Sequence, residues 1–327
     1  MHVRWQRVRP LLPWLSLLTG VGGALLMNRT PGRAWIVVVA AVVGWSMLVV
    51  FNIVERGWTD APARSLSRRG ARYALVLSNQ VAIQQALLFP LPFYVRAAHV
   101  HPGHLAFFAL YATALVVALW DPLFARALVR PAASVALQAW AAFVGLDMVL
   151  PVLGLSNERA LLVAGLATAI AVPLGALLAR THVTEPTAPA GLWRARALAG
   201  VGALAIVVAA HYAGPWVPPA PLELVSVAIG TRVDDHELVD GAAVLEAPAQ
   251  LACHSAIKAP LGLKDALVHV WDKDGRAFDR VPLDVRGGRD AGFRTWSIEH
   301  PTGAGVYTCS VETASGQVLG EAHVTVR

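Results

Sequence analysis

Three histidines stand close together in the stretch AAHVHPGH: His99, His101 and His104. A His-x-His pair followed by a third imidazole offers three nitrogen ligands. That is the number a catalytic Zn²⁺ takes while keeping one position open, and Cu²⁺ accepts the same donors. No glutamate lies beside the triplet to act as a base. The competing reading is an interfacial loop of amphipathic rings turned by Pro102-Gly103.

A second set of polar residues lies inside apolar sequence. Gln80, Gln84 and Gln85 fall within one long hydrophobic run, and Asp147 is the one acid deep within another. An acid at the centre of a membrane helix is a functional candidate by default. These four residues make a candidate intramembrane polar site, with interhelical hydrogen bonding as the alternative. A third set follows near the C-terminus, where VRGGRDAGFRTWS carries Arg286, Arg289, Arg294 and Trp296. Guanidinium groups beside an aromatic ring suit an anionic glycan or a lipid phosphate, whereas a plain hairpin turn would present the same arginines to solvent. No phosphate-cradling glycine loop, Gly-x-Ser-x-Gly elbow or His-Glu-x-x-His occurs, so no nucleophile with its base is recognisable.

The elements that must position these residues are of two kinds. Hydrophobic residues make up 56% of the 327 and charged residues 15%, and the excess is confined to the first two thirds. Seven apolar runs, at about 10–27, 34–54, 74–94, 105–120, 133–154, 161–179 and 197–213, approach the roughly 20 residues a membrane span requires. The expectation is a seven-span helical bundle over residues 1–213, a Pro-rich linker at 214–221 (GPWVPPAP) and a β-domain over 222–327. The first run resembles a signal peptide but lacks a small-x-small cleavage site, so it reads as a retained span.

Charge divides the chain at the same place. The first 213 residues hold 17 arginines, no lysine and 6 acids, and the remainder holds 10 basic and 15 acidic residues. The high pI therefore does not point to nucleic acid. On the seven-span reading, thirteen arginines fall in loops on the N-terminal side and four on the other. The positive-inside rule then makes the N-terminus cytoplasmic and the C-terminal domain periplasmic, in a bacterial inner membrane.

The two cysteines, Cys253 and Cys309, both fall in the domain placed outside the cytoplasm, where disulfides persist. Beyond residue 221 the hydrophobic period becomes two. Leu251, Cys253, Ser255 and Ile257 share one strand face, and Tyr307, Cys309 and Val311 another. If those faces oppose, the cysteines meet across a sandwich core. Asp274-Gly275 marks a hairpin, Trp271 follows Cys253, and Tyr307 stands two residues before Cys309. This order suits an immunoglobulin-like sandwich with a tyrosine corner; another antiparallel β-fold would show the same alternation.

GLKDALVHVWDKDGRAFDRVPLDVRGG, FRTWS and GVYTCSVETASGQVLG, with QQALLFPLPFYVRAAH and LWDPLFARAL earlier, carry a resemblance. The chain resembles an uncharacterised bacterial family of multi-pass inner-membrane proteins that end in a small β-domain of unknown function. The resemblance implies a fold and a location and brings no activity or catalytic residues. The cysteine pair departs from the family pattern, which implies a local addition to stability. The expected function is a non-enzymatic envelope protein held in the lipid bilayer that presents its β-domain to a periplasmic protein or glycan. The alternative is a transporter or lipid- or glycan-modifying enzyme built on the glutamines, Asp147 and the histidine loop.

Overall fold

The computed structural model describes residues 66–99, 102–180, 214–220, 222–259, 264–286 and 291–327, with Val201, Val208 and Tyr212. These residues fall into two compact units. The first is helical. It draws on α1 (Leu66–Leu88), most of α3 (Pro102–Leu119), α4 (Asp121–Val129), most of α5 (Pro131–Val152) and most of α6 (Asn157–Arg180). The short α2 (Leu91–Ala97) belongs mostly to the second unit.

Prolines set several of the helix boundaries. The apolar run at 74–94 is interrupted by a turn at Phe89-Pro90, because a proline has no N–H to continue the ladder and restricts the residue before it. α4 starts with Pro122 in its first turn and Asp121 at the positive end of its dipole. Inside the unit, the Tyr111 hydroxyl donates to the Leu87 carbonyl. Trp140 meets Tyr111 edge-on at 6.4 Å and stacks on Phe143 at 5.7 Å.

The expected seven-span bundle is corrected here. Among the described residues two helices, Pro102–Leu119 and Ala132–Val152, are long and apolar enough to cross a membrane, judged by length and composition. Run length records apolar content, and a buried core helix reads the same as a lipid-facing one. The run at 74–94 is two helices, the first of which carries Asn79, Gln80, Gln84 and Gln85. The runs at 10–27 and 34–54, and most of 197–213, lie outside the described residues. With the span count gone, the parity argument for sidedness goes too.

The second unit joins Tyr212–Arg327 to two short segments, Phe93–Phe107 and Leu150–Leu161. Its body is a two-sheet β-sandwich. The first sheet orders β1 (Glu223–Gly230), β5 (Leu251–Lys258) and β8 (Phe293–Glu299), with β5 central and antiparallel to both. The second orders β4 (Val244–Leu245), β10 (Val318–Val326), β9 (Gly305–Thr313), β6 (Lys264–Lys273) and β7 (Arg276–Arg286), with β4 parallel to β10 and the rest antiparallel. A separate hairpin, β2 (Arg232–Asp234) and β3 (Glu237–Val239), packs on β5.

Both tight hairpins turn through left-handed backbone. Asp235 and His236 have φ of 44° and 64°, and Asp274 and Gly275 of 53° and 81°. Such paired positive angles match the twist of the flanking strands. The Asp272 carboxylate accepts from the Gly275 N–H at 2.7 Å.

Alternation along the strands builds the core. Leu222, Ile257, Leu267, Leu283, Val311 and Leu319 fill one end of the sandwich. Ile229, Leu251, Cys253, Trp271, Tyr307, Cys309 and Val324 fill the other. Cys253 of β5 and Cys309 of β9 form a disulfide that joins the two sheets. Trp271 stands in register beside Cys309 and is fully buried. The Tyr307 hydroxyl donates to the Gly303 carbonyl and accepts from the Thr302 N–H, each at 2.9 Å. An inter-sheet disulfide, a buried tryptophan beside it and a tyrosine corner are shared with immunoglobulin-type sandwiches.

Candidate functional site

Alternation on β5 sends Cys253 and Ser255 inward and His254 outward. The inward face meets His269 of β6 in the middle of the sandwich. His269 Nε2 lies 2.9 Å from Ser255 Oγ, and its Nδ1 lies 2.8 Å from Ser297 Oγ of β8. The Trp271 indole N–H donates to the same Ser297 hydroxyl at 2.9 Å. All four groups are buried. Burial lowers the His269 pKa to about 4, with the neighbouring His254 adding to the effect. The ring is therefore neutral near pH 7, with one nitrogen donating and the other accepting between two serines.

His269, Cys253 and Cys309 place a ring nitrogen and two sulfurs within 4.8 Å of one another. Zinc binds thiolate, and here both sulfurs are tied up in the disulfide. All three residues are buried.

The outer face of the same sheet is different in character. Arg294, Trp296 and Ile298 alternate along the edge strand β8, all facing outward and all exposed. Trp296 remains 38% exposed although His236, at the tip of the β2–β3 hairpin, meets its ring edge-on at 5.2 Å. Glu237 of the same hairpin pairs with Arg294. Opposite Trp296 on β5, His254 is buried with its Nε2 unpartnered. Its pKa is lowered, chiefly by burial. Of the anion-binding set expected from sequence, Arg294 and Trp296 thus come together. Arg289 lies outside the described residues, and Arg286 ends β7.

In the helical unit the glutamines meet a helix end. Gln80 Nε2 donates to the Ala118 carbonyl at 3.2 Å and to Asp121 Oδ1 at 3.0 Å, and Gln84 Nε2 donates to the same carbonyl at 2.9 Å. Ala118 sits in the last turn of α3, where carbonyls lack intrahelical partners. Gln85 is half-buried. Asp147 is buried and engaged with its surroundings.

The histidine triplet divides. His101 lies outside the described residues. His104 is buried at the start of α3, with Nδ1 3.1 Å from the His99 nitrogen and 3.0 Å from the His99 oxygen, so it pins that backbone. The His99 ring turns instead to β10, where Nε2 comes within 3.6 Å of Glu321 Oε1. The sequence singles out Ser255 only as a member of the Cys253 strand face, and Ser297, Glu321 and His323 not at all. Strand parity was the available signal, but the pairing register that brings these side chains together is long-range.

Residues 1–252 match a family of unknown function, DUF5924, and residues 264–326 match a protein family of unknown function, DUF2914. The chain belongs to the DUF5924 family. The first match ends inside β5, one residue before Cys253, and the second begins with β6. The seam between the two families therefore runs through a single sandwich rather than between domains. No curated protein matches the chain.

Proposed function

We propose that this DUF5924 protein is a non-catalytic, membrane-anchored binding protein whose β-sandwich is held outside the cytoplasm, in the bacterial periplasm, and docks a partner protein on the outer face of β8. The observation that carries the reading is the alternating Arg294, Trp296 and Ile298 strip. Tryptophan and arginine are enriched among residues that dominate binding energy, and this tryptophan is left open on an edge strand. Because Arg294 is already paired with Glu237, its charge is partly satisfied. The patch then favours aromatic and apolar contact over capture of an anionic glycan.

Anchoring is supported by α3 and α5, the two helices of sufficient length and composition. Each has one end, Pro102 or Val152, in a segment that belongs to the sandwich's unit. Arg126 and Arg130 lie in the connection between them, where the positive-inside rule puts a cytoplasmic loop. Leu105, Leu110 and Val116 of α3 are also exposed, as lipid-facing side chains would be. The disulfide favours an oxidising compartment. The Gln80 and Gln84 amides bond to the end of α3, which supports the packing reading of these two residues over the transporter or enzyme alternative.

A photo-crosslinking side chain placed at Ile298, and separately at Phe278 on the other sheet, tests the docking face in cells that make the protein. A discrete adduct should form from the first position alone and vanish with Trp296→Ala. Equal adducts from both positions, or indifference to Trp296→Ala, would overturn the reading.

A further inference from the structure

Glu321 and His323 occupy alternate positions on β10, and their side chains are exposed on one face of the five-stranded sheet. His323 Nε2 lies 3.3 Å from Glu321 Oε1, the same oxygen that His99 Nε2 approaches to 3.6 Å. One carboxylate oxygen thus serves as a hub for two imidazole nitrogens that are far apart in the chain. Neither ring is placed at random. Thr308, paired with His323 across β9 and β10, has its Oγ1 2.9 Å from His323 Nδ1, which leaves Nε2 directed at the carboxylate. His104 pins the backbone of His99 from the other side.

The spacing bears on what the cluster is. Charge-assisted N–H···O⁻ bonds close to about 2.7–2.9 Å, and both approaches here are longer. Two ligands on a tetrahedral zinc with bonds of about 2.0–2.2 Å stand roughly 3.3–3.5 Å apart. Both approaches are looser than closed ion pairs, so the carboxylate is not locked to either ring, and the two imidazole nitrogens have to close on one another to share an ion. Two imidazoles and a carboxylate are also a donor set that zinc accepts with a position left open.

We propose that His99, Glu321 and His323 form a divalent metal site that takes Zn²⁺, with Thr308 orienting His323 from behind. The side chains of His99 and His323 are 22% and 54% exposed. Both rings can swing toward each other around Glu321, and an ion reaches them from solvent. When bound, the metal ties the segment ahead of α3 to the last strand of the sandwich. The histidine triplet is then divided in function: His99 ligates, His104 holds its backbone, and His101 is not required. The proposal is independent of the docking face on β8.

Full-length protein free of any polyhistidine tag, stripped with a chelator and titrated with Zn²⁺ against a fluorescent chelator, provides the test. One Zn²⁺ per chain is expected, with a Kd of about 1 μM or tighter. Glu321→Gln or His323→Asn should weaken it by more than about tenfold, Thr308→Val by about tenfold, and His101→Asn should leave it unchanged. The near-ultraviolet circular dichroism of the buried Trp271 reports whether each variant keeps its fold. No binding at about 100 μM Zn²⁺, or equal affinity in the Glu321→Gln/His323→Asn double variant, would overturn the site. So would an affinity that falls with His101→Asn and not with His323→Asn.

Discussion

Both units bury polar side chains, and they satisfy them by different means. In the helical unit, Gln80 and Gln84 reach the Ala118 carbonyl near the end of α3. In the sandwich, Ser255, His269, Ser297 and Trp271 bond to one another. The backbone explains the contrast. A helix leaves its last carbonyls without partners, so a nearby amide finds an acceptor ready-made. A strand in mid-sheet has its backbone groups engaged in the ladder, so a polar side chain there must bring its partners with it. Loss of one member is therefore local in the helices and shared in the sandwich, where each removal strands the remaining groups.

The largest effect should come from the bridge that closes this region of the sandwich. Cys253→Ala with Cys309→Ala is expected to lower stability by about 4 kcal/mol on the chain-entropy account, read as a shift in the denaturation midpoint. No loss at all would show that the polar set carries that end of the core without the bridge.

Next in size is the pH response of His269. Its folded pKa of about 4 lies below the ordinary 6.5, so the unfolded chain takes up the proton first. Stability is fully present above about pH 6.5 and is lost as pH falls through 4, by about 3 kcal/mol. Glu299 opposes this. Burial, then the neighbouring Asp279, raises its pKa to about 7, so its contribution is present at low pH and is lost as pH rises from 4.5 through 7. The His269 slope should therefore appear most clearly in Glu299→Gln, measured by denaturation at pH 4 and pH 7, and should vanish in His269→Phe.

Smaller effects sharpen the contrast. Tyr307→Phe removes both bonds of the corner and should cost about 1–2 kcal/mol in thermal unfolding. Gln84→Leu should cost less, about 0.6 kcal/mol, the order of a single interhelical hydrogen bond. A Gln84→Leu loss as large as that of Tyr307→Phe would erase the distinction between the two regions.

What the sequence made legible follows the range of the interaction. The Asp274-Gly275 turn, the alternation around Cys253 and the Tyr307-x-Cys309 spacing are local patterns, and each has a structural counterpart. The apolar runs were legible as apolar but not as spans, because hydropathy does not distinguish a lipid-facing helix from a buried one. Pro90 marked the break in the run at 74–94, yet average hydrophobicity across it concealed the break. The candidate metal site was half visible. His99 stood out among its neighbours, whereas Glu321 and His323 are unremarkable until β10 is placed against the segment that carries His99. Ser255 and Ser297 are likewise ordinary residues until β5 and β8 pair on either side of His269.

The buried disulfide also constrains the order of events in the cell. Cys253 and Cys309 are both wholly inaccessible in the closed sandwich, so no oxidant can reach them once the sheets have met. The bridge must be made while the chain is still open, ahead of final closure. A copy that closes in a reducing compartment would then keep its thiols even when later moved to an oxidising one. Its redox state would be a record of where it folded rather than of where it resides.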